Sequence, residues 1–242
     1  MKKTILLFLA FMLFCTVFVS CGDADLPGYV TGTLEYTGSD DGHSVRILYP
    51  VFDGTDKAAA ITEELKARAI SYMEEYLLYR NTAGESFGYT VDQVNAAYQS
   101  DLLVSVLSVG SYYADGAPHP ETVVYTANVN PTSGAVYEFD DIVTDFDAIA
   151  ALFSDGGFTY LGGANSIFEE SRETLSPADL IAGYSSLYGI YPPVYFTLHD
   201  GDVCFALSVE LIDTFGGHAE FCIPAKAVRD ALSGEICQIL FN

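Results

Sequence analysis

Basic residues are scarce: 10 Lys and Arg stand against 33 Asp and Glu in 242 residues, a formal charge of −23 at pH 7. A surface so short of cations cannot neutralise phosphates, which excludes nucleic-acid binding. It equally disfavours adsorption to anionic lipid. Cysteine is sparse as well. The five cysteines form no C-x-x-C motif and no Cys/His pair at metal-ligand spacing, so no metal, cofactor or thiol nucleophile is expected. Cys204, Cys222 and Cys237, the three outside the N-terminal region, are an odd number at wide spacing and not a disulfide framework. Buried inert thiols are expected there, with one oxidised pair as the alternative. Tryptophan is absent, so aromatic surface rests on 17 Tyr and 16 Phe. No apolar run is longer than Ile5 to Val19, which is too short to span about 30 Å of hydrocarbon comfortably. Internal repeats, heptad arrays and low-complexity tracts are missing too.

What the N-terminus does hold is a processing signal. Met1-Lys2-Lys3 is a basic start, the apolar run follows, and Phe18-Val19-Ser20 precedes Cys21 and Gly22-Asp23. The pattern reads as a secretory signal peptide over residues 1–20. Its end resembles the lipobox of bacterial lipoproteins, in which the cysteine thiol is acylated and becomes the new N-terminus. Phe18 departs from that pattern, which prefers Leu, and Cys15 is a poorer candidate because bulky Phe14 would sit beside the scissile bond. The alternative is an ordinary secretory signal with an incidental Cys21. Under the first reading the protein is lipid-anchored at Cys21 on the extracytoplasmic face of the cell membrane. Under both it works outside the cytoplasm. Loss of Lys2 and Lys3 leaves 8 Lys and Arg against 33 Asp and Glu, a mature charge of −25. Such a charge attracts cationic partners within roughly a Debye length, about 8 Å at physiological salt, and also serves solubility.

Residues 21–43 read as acylated N-terminus, Asp/Gly-rich tether and one weak strand near Tyr29–Tyr36. Residues 44–242 read as one α+β domain. Ser44–Tyr49 alternates as a strand. Ile61, Leu65, Ala69, Tyr72, Tyr76 and Tyr79 recur at helical spacing within a helix from Asp56 to Arg80. Val91–Gln99 leads into two paired strands, Leu102–Tyr113 and Thr122–Asn130, joined by a loop with His119 between Pro118 and Pro120. Asn130 to Gly134 is a turn. A helix capped by Asp140 or Asp141 is expected to turn Ile142, Phe146, Ile149 and Phe153 inward. A glycine-rich loop over residues 154–163 comes next, then helices near 164–174 and 178–188. Val194–Leu198 and Val203–Val209 form a hairpin on an Asp-Gly turn, Ala219–Ile223 is a strand, Pro224 opens a helix that Gly234 closes, and Ile236–Phe241 ends as a strand. Strands and helices come in groups, not in strict alternation. The expected architecture is therefore an antiparallel or mixed sheet with helices packed on it.

Three stretches in order resemble one bacterial family. They are Tyr112-Tyr113-Ala114-Asp115-Gly116-Ala117-Pro118-His119-Pro120; Tyr125 to Asn130 through Ser133-Gly134 to Phe139-Asp140-Asp141-Ile142-Val143; and Val194 to Leu198 with Ala219 to Pro224. Together they are similar to the RsiV-like extracytoplasmic domain of lysozyme-sensing anti-sigma factors, also found at the N-terminus of PdaC-type peptidoglycan deacetylases. The likeness covers about residues 30–235. Pro118 interrupts the family's Gly-Ala-His-Pro, and Ser208-Val209-Glu210 replaces an aromatic, proline-containing passage. Neither a cytoplasmic anti-sigma segment nor a deacetylase domain is visible in the sequence, so the resemblance implies the sensing or binding module alone.

Catalytic patterns are weak by comparison. Gly183-Tyr184-Ser185-Ser186-Leu187 lacks the closing glycine of a nucleophile elbow. His43, His119, His199 and His218 lie in separate segments. His218 and Glu220 share a strand face by period two, and a solvated face explains them better than a site. Asp140, Asp141, Asp145 and Asp147 miss a calcium loop's spacing and suit a helix N-terminus. No enzymatic activity is expected. The expected function is a non-enzymatic binding module for a cationic protein such as lysozyme. The alternatives are a peptidoglycan- or glycan-binding envelope module and a cell-wall hydrolase. Tyr112, Tyr113 and His119 are the candidate ligand-binding residues.

Overall fold

The structure, a computed structural model, describes residues 28–40, 43–80, 86–163, 192–211 and 217–241. The expected signal peptide, Cys21, the helices expected near 164–174 and 178–188, and the Ser185 motif lie outside the described residues.

Strands β1 (Val30–Asp40) and β2 (His43–Phe52) pair antiparallel along their length. The 23-residue helix α1 (Ala58–Arg80) then crosses over so that β3 (Phe87–Gln99) runs parallel to β2. Strands β4 (Val104–Ala114), β5 (Glu121–Val129) and the two-residue β6 (Val136–Tyr137) complete a six-stranded mixed sheet in sequence order. A second, antiparallel sheet has the order β7 (Thr159–Gly163), β10 (Gly217–Pro224), β9 (Asp202–Leu211), β8 (Val194–His199). The fold class is α+β, as the grouping of elements implies.

Side-chain alternation decides what each face of the large sheet buries. Val104, Val106, Ala127 and Val129 meet Ile61 and Leu65 of α1, while Leu107 and Val124, one step out of phase, meet Tyr195, Cys204, Ala206 and Cys222 of the second sheet. Helix and second sheet therefore cover opposite faces. The far face of the second sheet (Phe196, Phe205, Leu207, Phe221, Ile223) packs on α2 (Phe139–Ile142), α3 (Phe146–Ser154), a 3-10 turn (Ala225–Ala231) and α4 (Gly234–Phe241).

Several expectations change. The single helix after Asp140 is two. Glu138 is the N-cap of α2, with the Asp141 carboxylate accepting from the Glu138 amide at 2.9 Å. Asp145 caps α3 by accepting from Ala148 N at 3.0 Å. The break falls at Val143, which leaves the helical path to bridge Leu232. The glycine-rich stretch after α3 ends in strand β7, paired to β10 from Cys222 to Ala219. The chain closes in a helix where a strand was expected. Ile236, Ile239 and Leu240 recur at helical as well as strand-like intervals, and Ile236, fully buried against the second sheet, selects the helix. The hairpin turn stands as expected, with Asp200 at φ 52° and Gly201 at φ 84°, the positive pair that an Asp-Gly turn supplies.

Candidate functional site

Beyond the short pairing of Asn128–Val129 with β6, no strand pairs with the outer side of Glu121–Ala127 among the described residues. At that edge α1 stands on one side and the second sheet on the other. Between them lies a hollow of about 410 Å³, lined among others by Arg68, Tyr72 and Glu75 of α1, Tyr125 and Asn128 of β5, Tyr137 of β6 and Glu138. Burial pushes the Tyr125 hydroxyl up to about 12. Burial, with a hydrogen bond to Glu235 at 2.7 Å, does the same to Tyr137. Both phenols are neutral at physiological pH and can donate as well as accept. The rim is acidic with one cation in it: Arg68 donates to Glu64 at 2.8 Å and also pairs with Glu138.

The floor between the sheets is tied by a closed polar chain. Ser105 donates to Asn128 Oδ1 at 2.6 Å, Asn128 Nδ2 donates to the Val194 carbonyl at 2.9 Å, and the Phe196 amide donates to Ser105 Oγ at 3.1 Å. All of these groups are buried and satisfied, which fixes β4, β5 and β8 in register.

A second polar chain lies at the other end of the edge. The Tyr195 hydroxyl donates to Glu220 Oε2 at 2.8 Å, and His218 Nε2 lies 3.2 Å from Glu220 Oε1. The His218 and Glu220 side chains are only 13% and 17% exposed. The period-two pairing of these residues read from the sequence is real, but the face is not solvated, because β10 turns it toward the large sheet beside β5. Burial alone would raise the Glu220 carboxyl; the hydrogen bonds from His218 and Tyr195, together with the neighbouring imidazole, outweigh it and hold the group below its usual value. Burial and the Glu220 charge push the Tyr195 hydroxyl far up. Among the described residues, buried His218 Nδ1 and Ser208 Oγ have no hydrogen-bond partner. They line a hollow of about 10 Å³ that also touches Tyr72, Tyr76 and Pro193, room for about one water. Sequence reasoning placed Ser208 only in a departure from a family pattern and assigned Tyr195 no role. The signal that would have found them is the cross-strand register, which sets Ser208 opposite Glu220.

Tyr112, Tyr113 and His119 are not gathered at one place. Tyr112 is buried under α1 with Tyr76 and Phe87, while Tyr113, next along β4 and hence on the opposite face, is 41% exposed. His119 stays in the β4–β5 loop with Nδ1 3.3 Å from the Pro120 carbonyl. Cys204, Cys222 and Cys237 are free thiols. Burial raises the Cys204 thiol and pushes Cys222 up to about 12. Among the described residues no three His, Cys, Asp or Glu side chains form a metal-binding group, and no helix is long and apolar enough to cross a membrane.

No protein-family model matches the chain, and no curated protein matches it. Among solved structures, the chain is similar to a DUF3298 family protein from Pseudomonas aeruginosa PAO1, with 15% identity, 88% of this chain and 97% of that chain covered, and a TM-score of 0.46.

Proposed function

We propose that the protein is a non-enzymatic binding module, acylated at Cys21 and displayed on the outer face of the cell membrane, whose ligand is a cationic protein such as lysozyme. The observation that carries this reading is charge: 33 acids against 10 bases in the whole chain. A field of that sign steers a basic partner and raises its association rate steeply at low salt. The hollow beside β5 suits such a ligand. Glu75 and Glu138 at its rim offer carboxylates to Lys or Arg, and half-buried Tyr72 offers flat amphipathic contact area.

The test is a titration of lysozyme into the soluble domain at low and at physiological salt. Affinity is expected to fall at least tenfold between them, and Glu75→Gln with Glu138→Gln is expected to weaken the low-salt complex several-fold. Absence of binding at low salt ends the proposal. A second reading, glycan strands of peptidoglycan as ligand, is favoured by half-buried Tyr72 at the cavity, since sugar rings stack on aromatic faces. Co-sedimentation with purified cell wall that does not respond to salt is the outcome that selects it.

A further inference from the structure

Strand β1 is the long open edge of the large sheet. Among the described residues the other open edges are shorter: two residues of β6 with seven of β5 beyond it, five of β7 and six of β8, against eleven for β1. Thr31, Gly32, Thr33, Leu34 and Glu35 are all exposed, and Leu34 is 50% exposed although its cross-strand partner Tyr49 is buried. Natural edge strands are protected by lysine, proline, inward charge, bulges or brevity; Val-Thr-Gly-Thr-Leu-Glu-Tyr-Thr-Gly-Ser-Asp has only an irregularity of pairing at its start, between Val30 and Gly32, and none of the others. Its only charge before the terminal Asp40 is Glu35, and Arg46 across the hairpin takes it up at 2.8 Å. On a molecule of charge −23, this is a neutral, β-prone strip with its outer backbone groups uncovered by the described residues.

We propose that β1 pairs antiparallel with β1 of a second copy, about a twofold axis at Leu34, to make one continuous twelve-stranded sheet from the two six-stranded ones. The sequence is self-complementary in that register. Leu34 meets Leu34, Thr33 meets Glu35, and Tyr36 covers Gly32, where added side-chain atoms would meet nothing within 4 Å. No two like charges are opposed. The inner pairing fits the same geometry. Thr33 stands opposite Pro50, which has no N–H to give, so Thr33 suits a position whose own amide points outward and Leu34 one whose side chains approach most closely across the axis. The helices α1 lie on the same face of the joined sheet and leave the two Leu34 side chains between them. A second copy is the occupant that this symmetry selects.

Mutual repulsion of two acidic copies opposes the pairing, so dimerisation strengthens with salt, the reverse of the sign expected for a cationic ligand. The experiment is sedimentation equilibrium on the chain from Gly22 to Asn242, which carries every described element, at low and high salt. A dimer is expected at high salt at tens of micromolar, with at least tenfold weaker association in Leu34→Glu, whose carboxylates would face each other. In a Cys237→Ser background, Leu34→Cys is expected to cross-link under mild oxidation and Thr37→Cys, which faces Thr31, is not. A monomer at every salt and concentration overturns the proposal, as does a dimer that Leu34→Glu leaves intact. Should Leu34→Glu melt early, the two cysteine variants decide: cross-linking of both or of neither overturns it.

Discussion

Glu220 is the residue where burial, charge and hydrogen bonding meet most sharply. Its carboxyl lies below the usual value of 4.5 because two donors favour the ionised form against the desolvation that opposes it. A depressed folded-state value contributes stability that is fully present above the unfolded value and is lost as pH falls through the lowered one. Comparing Glu220→Gln with the wild type by urea unfolding, the stability difference is therefore expected to be constant from neutral pH down to about 4.5 and to shrink below it. A difference that grows on acidification would contradict the assignment. Tyr195→Phe removes a hydrogen bond to a charged acceptor and is expected to lose about 2 kcal/mol, moving the acid limb to higher pH. Gly110 is a steric case: an added Cβ would overlap the Thr90 carbonyl and Val91 Cα on the neighbouring strand. Gly110→Ala is expected to destabilise by about 3 kcal/mol, measured as a fall in the urea midpoint. Neither residue's role was legible in sequence. Period two joined His218 to Glu220, but which way that face turns depends on β5, nearly a hundred positions earlier, and Gly110 matters only because β3 bulges between Val91 and Gln93 beside it.

Elements were legible where periodicity was long and unambiguous. Helix α1, the β4–β5 pair and the Asp-Gly hairpin follow from Ile61/Leu65/Ala69 spacing, from alternation and from Asp200-Gly201. Even in α1 the stripe drifts at its end, because 3.6 residues per turn bring Met73 into the core and leave Tyr72 and Tyr76 half-buried, lining the small hollow beside His218. Short segments were decided by tertiary contacts. The strand β7 has glycine at two of its five positions, and it exists because β10 supplies a partner. The terminal Ile236–Phe241 became helical because that conformation buries Ile236 completely and lets Glu235 accept the Tyr137 hydroxyl. Ile236→Ala is accordingly expected to cost about 3 kcal/mol, whereas the neighbouring exposed Gln238→Ala changes stability by less than about 0.5 kcal/mol. Equal effects in thermal unfolding would mean the last helix is not anchored through Ile236.

For the whole molecule, the dominant number is the charge of −23, and salt has two opposite effects on it. Screening weakens favourable ion pairs, of which Arg46–Glu35, Arg68–Glu64 and Lys226–Asp202 are examples. These pairs are exposed or half-exposed, and such pairs contribute only about 0–1 kcal/mol each. Screening also relieves the repulsion among the surplus carboxylates, which is spread over the surface and destabilises the compact state relative to the expanded chain. With three acids for every base, repulsion outweighs the pairs. Raising sodium chloride from about 10 mM to about 150 mM shortens the Debye length from about 30 Å to about 8 Å, and is expected to stabilise the fold by about 1 kcal/mol. For a chain of this length that raises Tm by about 2–4 °C. Thermal unfolding followed by circular dichroism at protein concentrations too low for association measures this, and a Tm that falls with salt would show that the ion pairs, and not the acid surplus, set the electrostatic balance of the fold.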